Sequence, residues 1–64
     1  MKVFIERNGE IRKIRFSGSV KSLLSKLKIN SEEVLVVKDG VLLTLEDTLH
    51  GNEDVRVLPV VSGG

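Results

Sequence analysis

The sequence contains no cysteine, tryptophan or tyrosine, and only one proline and two phenylalanines in 64 residues. Without cysteine, the chain cannot form a disulfide, bind a metal through thiolates or supply a thiol nucleophile. Any sulfur chemistry in which it takes part must therefore use sulfur brought by another molecule.

Long apolar runs are also missing. No run approaches the roughly 20 residues needed to cross a bilayer, and no basic segment followed by an apolar one suggests a signal peptide. We therefore expect a cytoplasmic protein. A chain this short buries only about 60% of its unfolded surface, so its core must be compact. We predict one domain over residues 1–60 and a flexible Gly-Gly tail over residues 61–64.

The net charge of +1 hides an asymmetry between the two parts of the chain. Residues 1–28 have eight basic and two acidic side chains, whereas residues 29–64 have two basic and seven acidic ones. A basic half could bind nucleic acid, but no aromatic stacking pattern accompanies it. A solvated face or one edge of a protein interface fits this composition better.

The first part of the chain has the pattern of a β-hairpin. Apolar and polar residues alternate over residues 1–7, and Asn8-Gly9 favours a tight turn into a second strand over residues 10–16. Phe4 and Ile11 would then lie on the outer face. The turn predicts two opposite pairs on the inner face, Val3 with Ile14 and Met1 with Phe16.

The period of the pattern changes after residue 17. Val20, Leu23, Leu24 and Leu27 have the spacing of one apolar helix stripe, and Ser19 is placed to cap the helix. We predict a helix of 9 or 10 residues, which is short enough to need a sheet beneath it.

Three further strands follow the helix. A polar loop with a possible helical turn at residues 30–33 precedes a buried strand at 34–37, and Asp39-Gly40 predicts a turn into a short strand at 41–44.

The last third of the chain begins with a mostly polar segment and ends with a strand. Leu45 and Leu49 are the predicted anchors of residues 45–54, and the strand at 55–58 should turn its two valines inward.

The order ββαβββ predicts an α+β fold of the β-grasp type, as in ubiquitin. One helix can cover both hairpins if they form a single mixed five-stranded sheet, with the first and last strands as parallel neighbours at its centre.

The sequence ends in Gly63-Gly64. Small polar termini are common and often simply frayed. A carboxylate on glycine, however, has no side chain beside it, and a second glycine lets the end pass through a narrow channel. The preceding Pro59, Val60 and Val61 are stiff and favour extended backbone. A carboxylate is a poor electrophile, so an outside enzyme would have to activate it.

Residues 54–64, DVRVLPVVSGG, resemble the end of the ThiS and MoaD sulfur carriers and of their archaeal small-modifier relatives. Residues 1–5, 20–27 and 38–40 resemble the first strand, the helix and a turn of ubiquitin. The arginines that precede the glycines of ubiquitin are absent, which favours an adenylating enzyme of the bacterial or archaeal type.

The resemblance implies a carrier that is not itself an enzyme. An ATP-dependent adenylating enzyme of the ThiF/MoeB type would activate Gly64, with Gly63 as the slim residue behind it. The product would be a thiocarboxylate that donates sulfur to thiamine, molybdopterin or tRNA thiolation through a sulfur-accepting enzyme. The alternatives are a modifier joined through Gly64 to lysines of target proteins, and a passive β-grasp interaction module.

No tightly bound cofactor is expected. The glycines at turns are isolated and form no phosphate-binding loop, so ATP must bind to the partner enzyme. His50 has no second histidine or cysteine to form a metal site, and the paired acids, Glu53 among them, are expected in solvated loops.

Three apolar residues are candidates for docking the adenylating enzyme. If the first and last strands are neighbours, Phe4, Leu58 and Val60 become adjacent at the root of the tail. A contiguous exposed apolar patch is typical of a protein interaction site.

Overall fold

A computed structural model describes residues 1–60, and the predicted tail at 61–64 lies outside the described residues. The elements in chain order are β1 (Lys2–Ile5), β2 (Glu10–Lys13), β3 (Gly18–Ser19), α1 (Val20–Lys26), a 3-10 turn (Ser31–Glu33), β4 (Val34–Lys38), β5 (Val41–Leu43), β6 (Thr48–Leu49) and β7 (Asp54–Pro59).

Five of the strands form one mixed sheet in the order β2-β1-β7-β4-β5. The last strand, β7, lies at its centre, parallel to β1 on one side and antiparallel to β4 on the other. This arrangement confirms the β-grasp prediction, including the parallel pairing of the first and last strands.

The core lies between one face of this sheet and α1. Alternate residues of β1, β4 and β7 point into it, and the apolar stripe of the helix covers them. Burying each such side chain contributes roughly 1.5–3 kcal/mol. The buried apolar residues are Val3, Ile5, Val20, Leu23, Leu24, Val36, Leu49, Val55 and Val57.

The helix begins as predicted but ends early. The Ser19 side chain accepts a hydrogen bond from the Ser22 backbone N–H (3.1 Å), which caps the first turn. Lys28 has a φ of 59°, and the next N–H, that of Ile29, donates to the Leu24 carbonyl (2.9 Å). This left-handed residue closes the helix after seven residues, so the predicted length of 9 or 10 is wrong.

The predicted register of the first hairpin is also wrong, by two residues. Ile5 pairs with Glu10 and Val3 with Arg12, so the connection contains four residues instead of the two at Asn8-Gly9. The N–H of Glu6 donates to the Val57 carbonyl (3.0 Å), so the chain after β1 still follows the central strand.

The inner face of the hairpin nevertheless has the predicted members. A shift of two residues preserves the alternation of side chains, because the strand period is two. Met1, Ile14 and Phe16 pack against the core as partly buried side chains, although β2 itself ends at Lys13.

The segment after β5 is more ordered than its polar composition indicates. β6 pairs with β3 in a second, two-stranded sheet that the sequence analysis missed. The N–H groups of Val20 and Lys21 donate to the carbonyls of Asp47 (2.9 Å) and Leu45 (3.1 Å), which satisfies the first turn of α1.

Leu49 is the anchor of this segment. Leu49 is 1% exposed, whereas Leu45 is 36% exposed, so the prediction that both residues anchor the segment is only half right. Among residues 1–60, no helix is long and apolar enough to span a membrane.

Candidate functional site

The root of the predicted tail is held firmly by the sheet. Pro59, the last residue of β7, pairs with Val34 of β4. The N–H of the next residue, Val60, donates to the carbonyl of Glu33 (2.9 Å). Backbone pairing therefore fixes the chain up to Val60, four residues before Gly64. Gly63 and Gly64 themselves lie outside the described residues, and their role stays a prediction.

The outer face of the sheet, opposite α1, holds two of the docking candidates. Phe4 pairs with Arg56 across β1 and β7, and Leu58 follows Arg56 on the same face of β7. Leu58 pairs in turn with Leu35 of β4. Val60 follows the end of β7 and is 43% exposed. Phe4 and Leu58 thus lie on one face of the sheet, and Val60 follows the strand that carries Leu58.

The same face has a feature that the sequence analysis did not find. A single row crosses all five strands, and its central member is a cation flanked by two apolar side chains on each side. Ile11 and Leu42, at the two ends, are 61% and 58% exposed. This outer row consists, in order, of Ile11, Phe4, Arg56, Val37 and Leu42. It depends on strand order and register, so sequence alternation within single strands could not reveal it.

The Arg56 side chain lies over Phe4, its neighbour in this row. Its guanidinium carbon lies 5.4 Å from the centre of the Phe4 ring, within the range of a cation–π interaction. One terminal nitrogen lies 3.7 Å from a carboxylate oxygen of Glu6. Both partners of this ion pair are exposed, so it adds little stability. The arrangement places a positive charge at the centre of an apolar row.

Glu53 was expected in a solvated loop, but the structure buries it. Its carboxylate accepts hydrogen bonds from the backbone N–H of His50 at both oxygens (3.0 and 2.9 Å) and from that of Gly51 (2.8 Å). Lys38 Nζ lies 3.9 Å away. These contacts lower the pKa of Glu53 to about 2. The hydrogen bond from His50 is the main cause, and the hydrogen bond from Gly51 and the charge of Lys38 lower the pKa further.

Glu53 therefore has a structural role, since it closes the loop before β7. The carboxylate is acceptor-only when ionised, and the bend at His50 and Gly51 supplies the donors it needs. Within residues 1–60, no three His, Cys, Asp or Glu side chains come together in a way that could hold a metal ion.

The sulfur carrier protein TtuB of Thermus thermophilus is 33% identical to this chain over 57 residues. The matched region covers 86% of this chain and 88% of TtuB. The chain belongs to the ThiS/MoaD-like family of sulfur carriers. A second relative of this chain, an uncharacterized protein of Archaeoglobus fulgidus, is 40% identical over 62 residues, which cover 97% of this chain and 79% of that protein. No protein-family model matches the chain.

Proposed function

We propose that this protein carries sulfur as a thiocarboxylate on Gly64. The observation on which the proposal depends is the attachment of the tail root: central strand β7 and the Val60–Glu33 hydrogen bond hold the chain up to residue 60. Four residues follow, and they would span at most about 14 Å when extended. That is enough to enter the active site of an enzyme docked beside the sheet. The relationship to TtuB, which is named as a sulfur carrier, supports this function.

The reaction begins with a carboxylate and ATP. In the proposed first step, an oxygen of the Gly64 carboxylate attacks the α-phosphorus of ATP on an adenylating enzyme of the ThiF/MoeB type, and pyrophosphate leaves. The mixed anhydride that results is an electrophile, whereas the carboxylate was not. In this proposal the chain supplies the carboxylate and acts as the substrate, and the adenylating enzyme supplies the catalytic groups.

Sulfur enters in the next steps. The terminal sulfur of a persulfide on a partner protein attacks the Gly64 carbonyl carbon, and AMP leaves. A second thiol then attacks the sulfur of the donor cysteine, which breaks the S–S bond and leaves the thiocarboxylate and a disulfide. Since this chain has no cysteine, both thiols must come from partners. The thiocarboxylate is then available to a sulfur-accepting enzyme for thiamine, molybdopterin or tRNA thiolation, in the cytoplasm.

Two glycines suit this use of the tail. Gly64 places the reacting carbon beside a methylene group, so a nucleophile meets no side chain. Gly63 removes the neighbouring β-carbon, which lets the backbone pass through a narrow channel.

The outer face of the sheet is the proposed dock for the adenylating enzyme. Phe4 and Leu58 lie on it near the tail root, and Val60 begins the segment that would enter the active site. Interface energy is usually concentrated in a few apolar or aromatic anchors, and these side chains meet that description. The central Arg56 would favour a partner with an acidic group facing the middle of the row.

Removal of Gly64 tests the proposal. We expect ATP–pyrophosphate exchange with the cognate adenylating enzyme to be lost, while the circular dichroism spectrum and Tm stay unchanged. Ser62→Ala keeps the length of the tail and should retain exchange. Normal exchange without Gly64 would contradict the proposal and favour the passive interaction module. Gly64 found in isopeptide bonds to lysines of other proteins, with no thiocarboxylate, would favour the modifier.

A further inference from the structure

We propose a second binding surface, a basic groove that takes an extended acidic peptide segment of a partner protein. It lies on the helix side of the sheet, between β2 and the end of α1. A cavity of about 200 Å³ opens there. Its floor and its rim differ in chemistry, and each indicates one part of the ligand.

The floor of the basic groove is apolar. A dry apolar cavity of about 150 Å³ can hold a benzene molecule, so this one has room for a single apolar side chain. It is lined by core-facing residues of β1, β4 and β7 and by residues that follow α1. The floor residues are Ile5, Leu27, Ile29, Val34 and Val57.

The rim of the basic groove is cationic. Arg7, Arg12 and Lys28 line the cavity together with Asn8. Arg12 Nε donates to the Glu10 carboxylate (2.9 Å), which orients the guanidinium group. Arg7 and Lys28 make no ion pair within residues 1–60. Three positive charges against one negative charge favour an anionic ligand.

A sheet edge runs beside this cavity. β2 is an outer strand of the five-stranded sheet, so one side of its backbone is unpaired within residues 1–60. An extended peptide can add to such an edge through main-chain hydrogen bonds, with alternate side chains entering a neighbouring pocket. Because Arg12 belongs to β2 and also lines the cavity, a strand on this edge would pass the basic rim.

These three features together specify the ligand: an extended segment with a short apolar centre, one side chain of which enters the cavity, between aspartates or glutamates. Nucleic acid fits less well, since none of the lining residues is aromatic and a base would have no stacking partner. A small anion would leave the apolar floor unused.

The basic groove is separate from the proposed dock. Ile5 and Val57 point to the helix side, whereas Phe4 and Leu58, their neighbours in β1 and β7, point to the outer face. A partner in the groove therefore leaves the outer face accessible. The groove proposal does not depend on the sulfur-carrier function. If the groove binds no peptide, the proposed sulfur-carrier function is unaffected.

The test is the binding of a fluorescein-labelled peptide, three aspartates followed by Val-Leu-Val and three more aspartates, measured by anisotropy with the full-length protein. We expect saturable binding that weakens as the salt concentration rises. Arg7→Gln with Lys28→Gln should raise Kd about tenfold, equivalent to ~1.4 kcal/mol. The matched control, Lys21→Gln with Lys26→Gln, removes the same charge from exposed helix positions outside the groove and should change Kd less than about threefold.

Two further peptides and an NMR titration make the result decisive. A peptide with Ser-Gly-Ser at its centre should bind at least tenfold more weakly, because no apolar side chain fills the floor. This loss corresponds to ~1.4 kcal/mol or more of binding free energy. A peptide with a central proline should also bind weakly, since it cannot pair with β2. Amide shifts should concentrate in β2 and around Leu27.

Four outcomes would overturn the proposal. They are no saturable binding, equal losses in the two double variants, equal binding of the Ser-Gly-Ser peptide, and shifts centred on the outer face. Equal losses in the two double variants would show a general charge effect. Equal binding of the Ser-Gly-Ser peptide would show a simple anion site.

Discussion

The guanidinium group of Arg56 lies over the ring of Phe4, with its carbon 5.4 Å from the ring centre. This contact joins the two central strands β1 and β7 on the face opposite the helix. It also makes that face amphipathic, because the cation lies within a row of apolar side chains. A partner that docks here must match both an apolar surface and a central positive charge.

The proposed dock predicts that Phe4→Ala and Leu58→Ala weaken activation without unfolding the protein. Each should raise KM for the carrier in ATP–pyrophosphate exchange about tenfold, as expected for loss of ~1.4 kcal/mol of binding. Val41→Ala is the control, since Val41 is an exposed apolar residue on the other face of the sheet. Tm values measured beside the kinetics exclude unfolding as the cause. Unchanged KM in both variants would remove the outer face as the dock.

The different burial of Leu49 and Leu45 predicts different losses of stability. Leu49→Ala leaves a cavity in the core and should lower the free energy of unfolding by about 2–5 kcal/mol. Leu45→Ala removes a partly exposed side chain and should cost less than about 1 kcal/mol. Urea unfolding of both variants measures the difference. Equal losses would mean that Leu49 is not the anchor of residues 45–53.

The Glu53 carboxylate predicts a contribution to stability that depends on pH. Its folded pKa of about 2 lies below the ordinary value of 4.5, so its contribution is complete above pH 4.5 and is lost as pH falls towards 2. Glu53→Gln should therefore lower Tm at pH 7, and the difference from wild type should shrink as pH approaches 2.

Glu46→Gln is the control for this experiment. It changes an exposed acid of the same segment that makes no side-chain hydrogen bond within residues 1–60, and should leave Tm at pH 7 nearly unchanged. A constant difference in Tm between Glu53→Gln and wild type from pH 7 to pH 2 would contradict the role of the ionised carboxylate.

Gly51 is predicted to be less replaceable than Gly9, although both have positive φ values, 106° and 63°. A β-carbon on Gly51 would lie 2.9 Å from the Phe16 carbonyl oxygen, whereas one on Gly9 would meet nothing within 4 Å. Gly9→Ala should cost about 1 kcal/mol and Gly51→Ala about 3 kcal/mol. Thermal unfolding compares them, and equal costs would show that crowding at Phe16 is unimportant.

The parts of the fold that follow from local patterns were predictable. The helix stripe from Val20 to Leu27 and the cap at Ser19 depend on spacing within one segment, and both were confirmed. The inward valines of β7 followed from alternation in the same way.

The errors arose where distant segments determine the structure. The hairpin register depends on how β1 follows β7, so Asn8-Gly9 alone could not fix it. Leu45 and Leu49 look alike in the sequence, and only the pairing of β6 with β3 separates them. Glu53 resembles a solvated acid until the bend at His50 brings N–H donors to it.

Some features of the candidate site could also be predicted from local sequence, and others depend on how distant segments come together. The terminal glycines can be identified from the sequence, and so can the apolar character of Phe4 and Leu58. The outer row could not be, because its five members come from five strands and meet only through the strand order. The basic groove likewise combines residues from the first hairpin and the end of the helix.

Mass spectrometry of the intact protein, purified from its native cells without reducing agents, tests the proposed function most directly. If the protein carries sulfur, a population should have a mass that is higher by the replacement of one oxygen with sulfur, and fragmentation should place the change on Gly64. The Gly64 deletion variant should lack it. Only unmodified carboxylate, under conditions in which thiolated products are being made, would contradict the sulfur-carrier function.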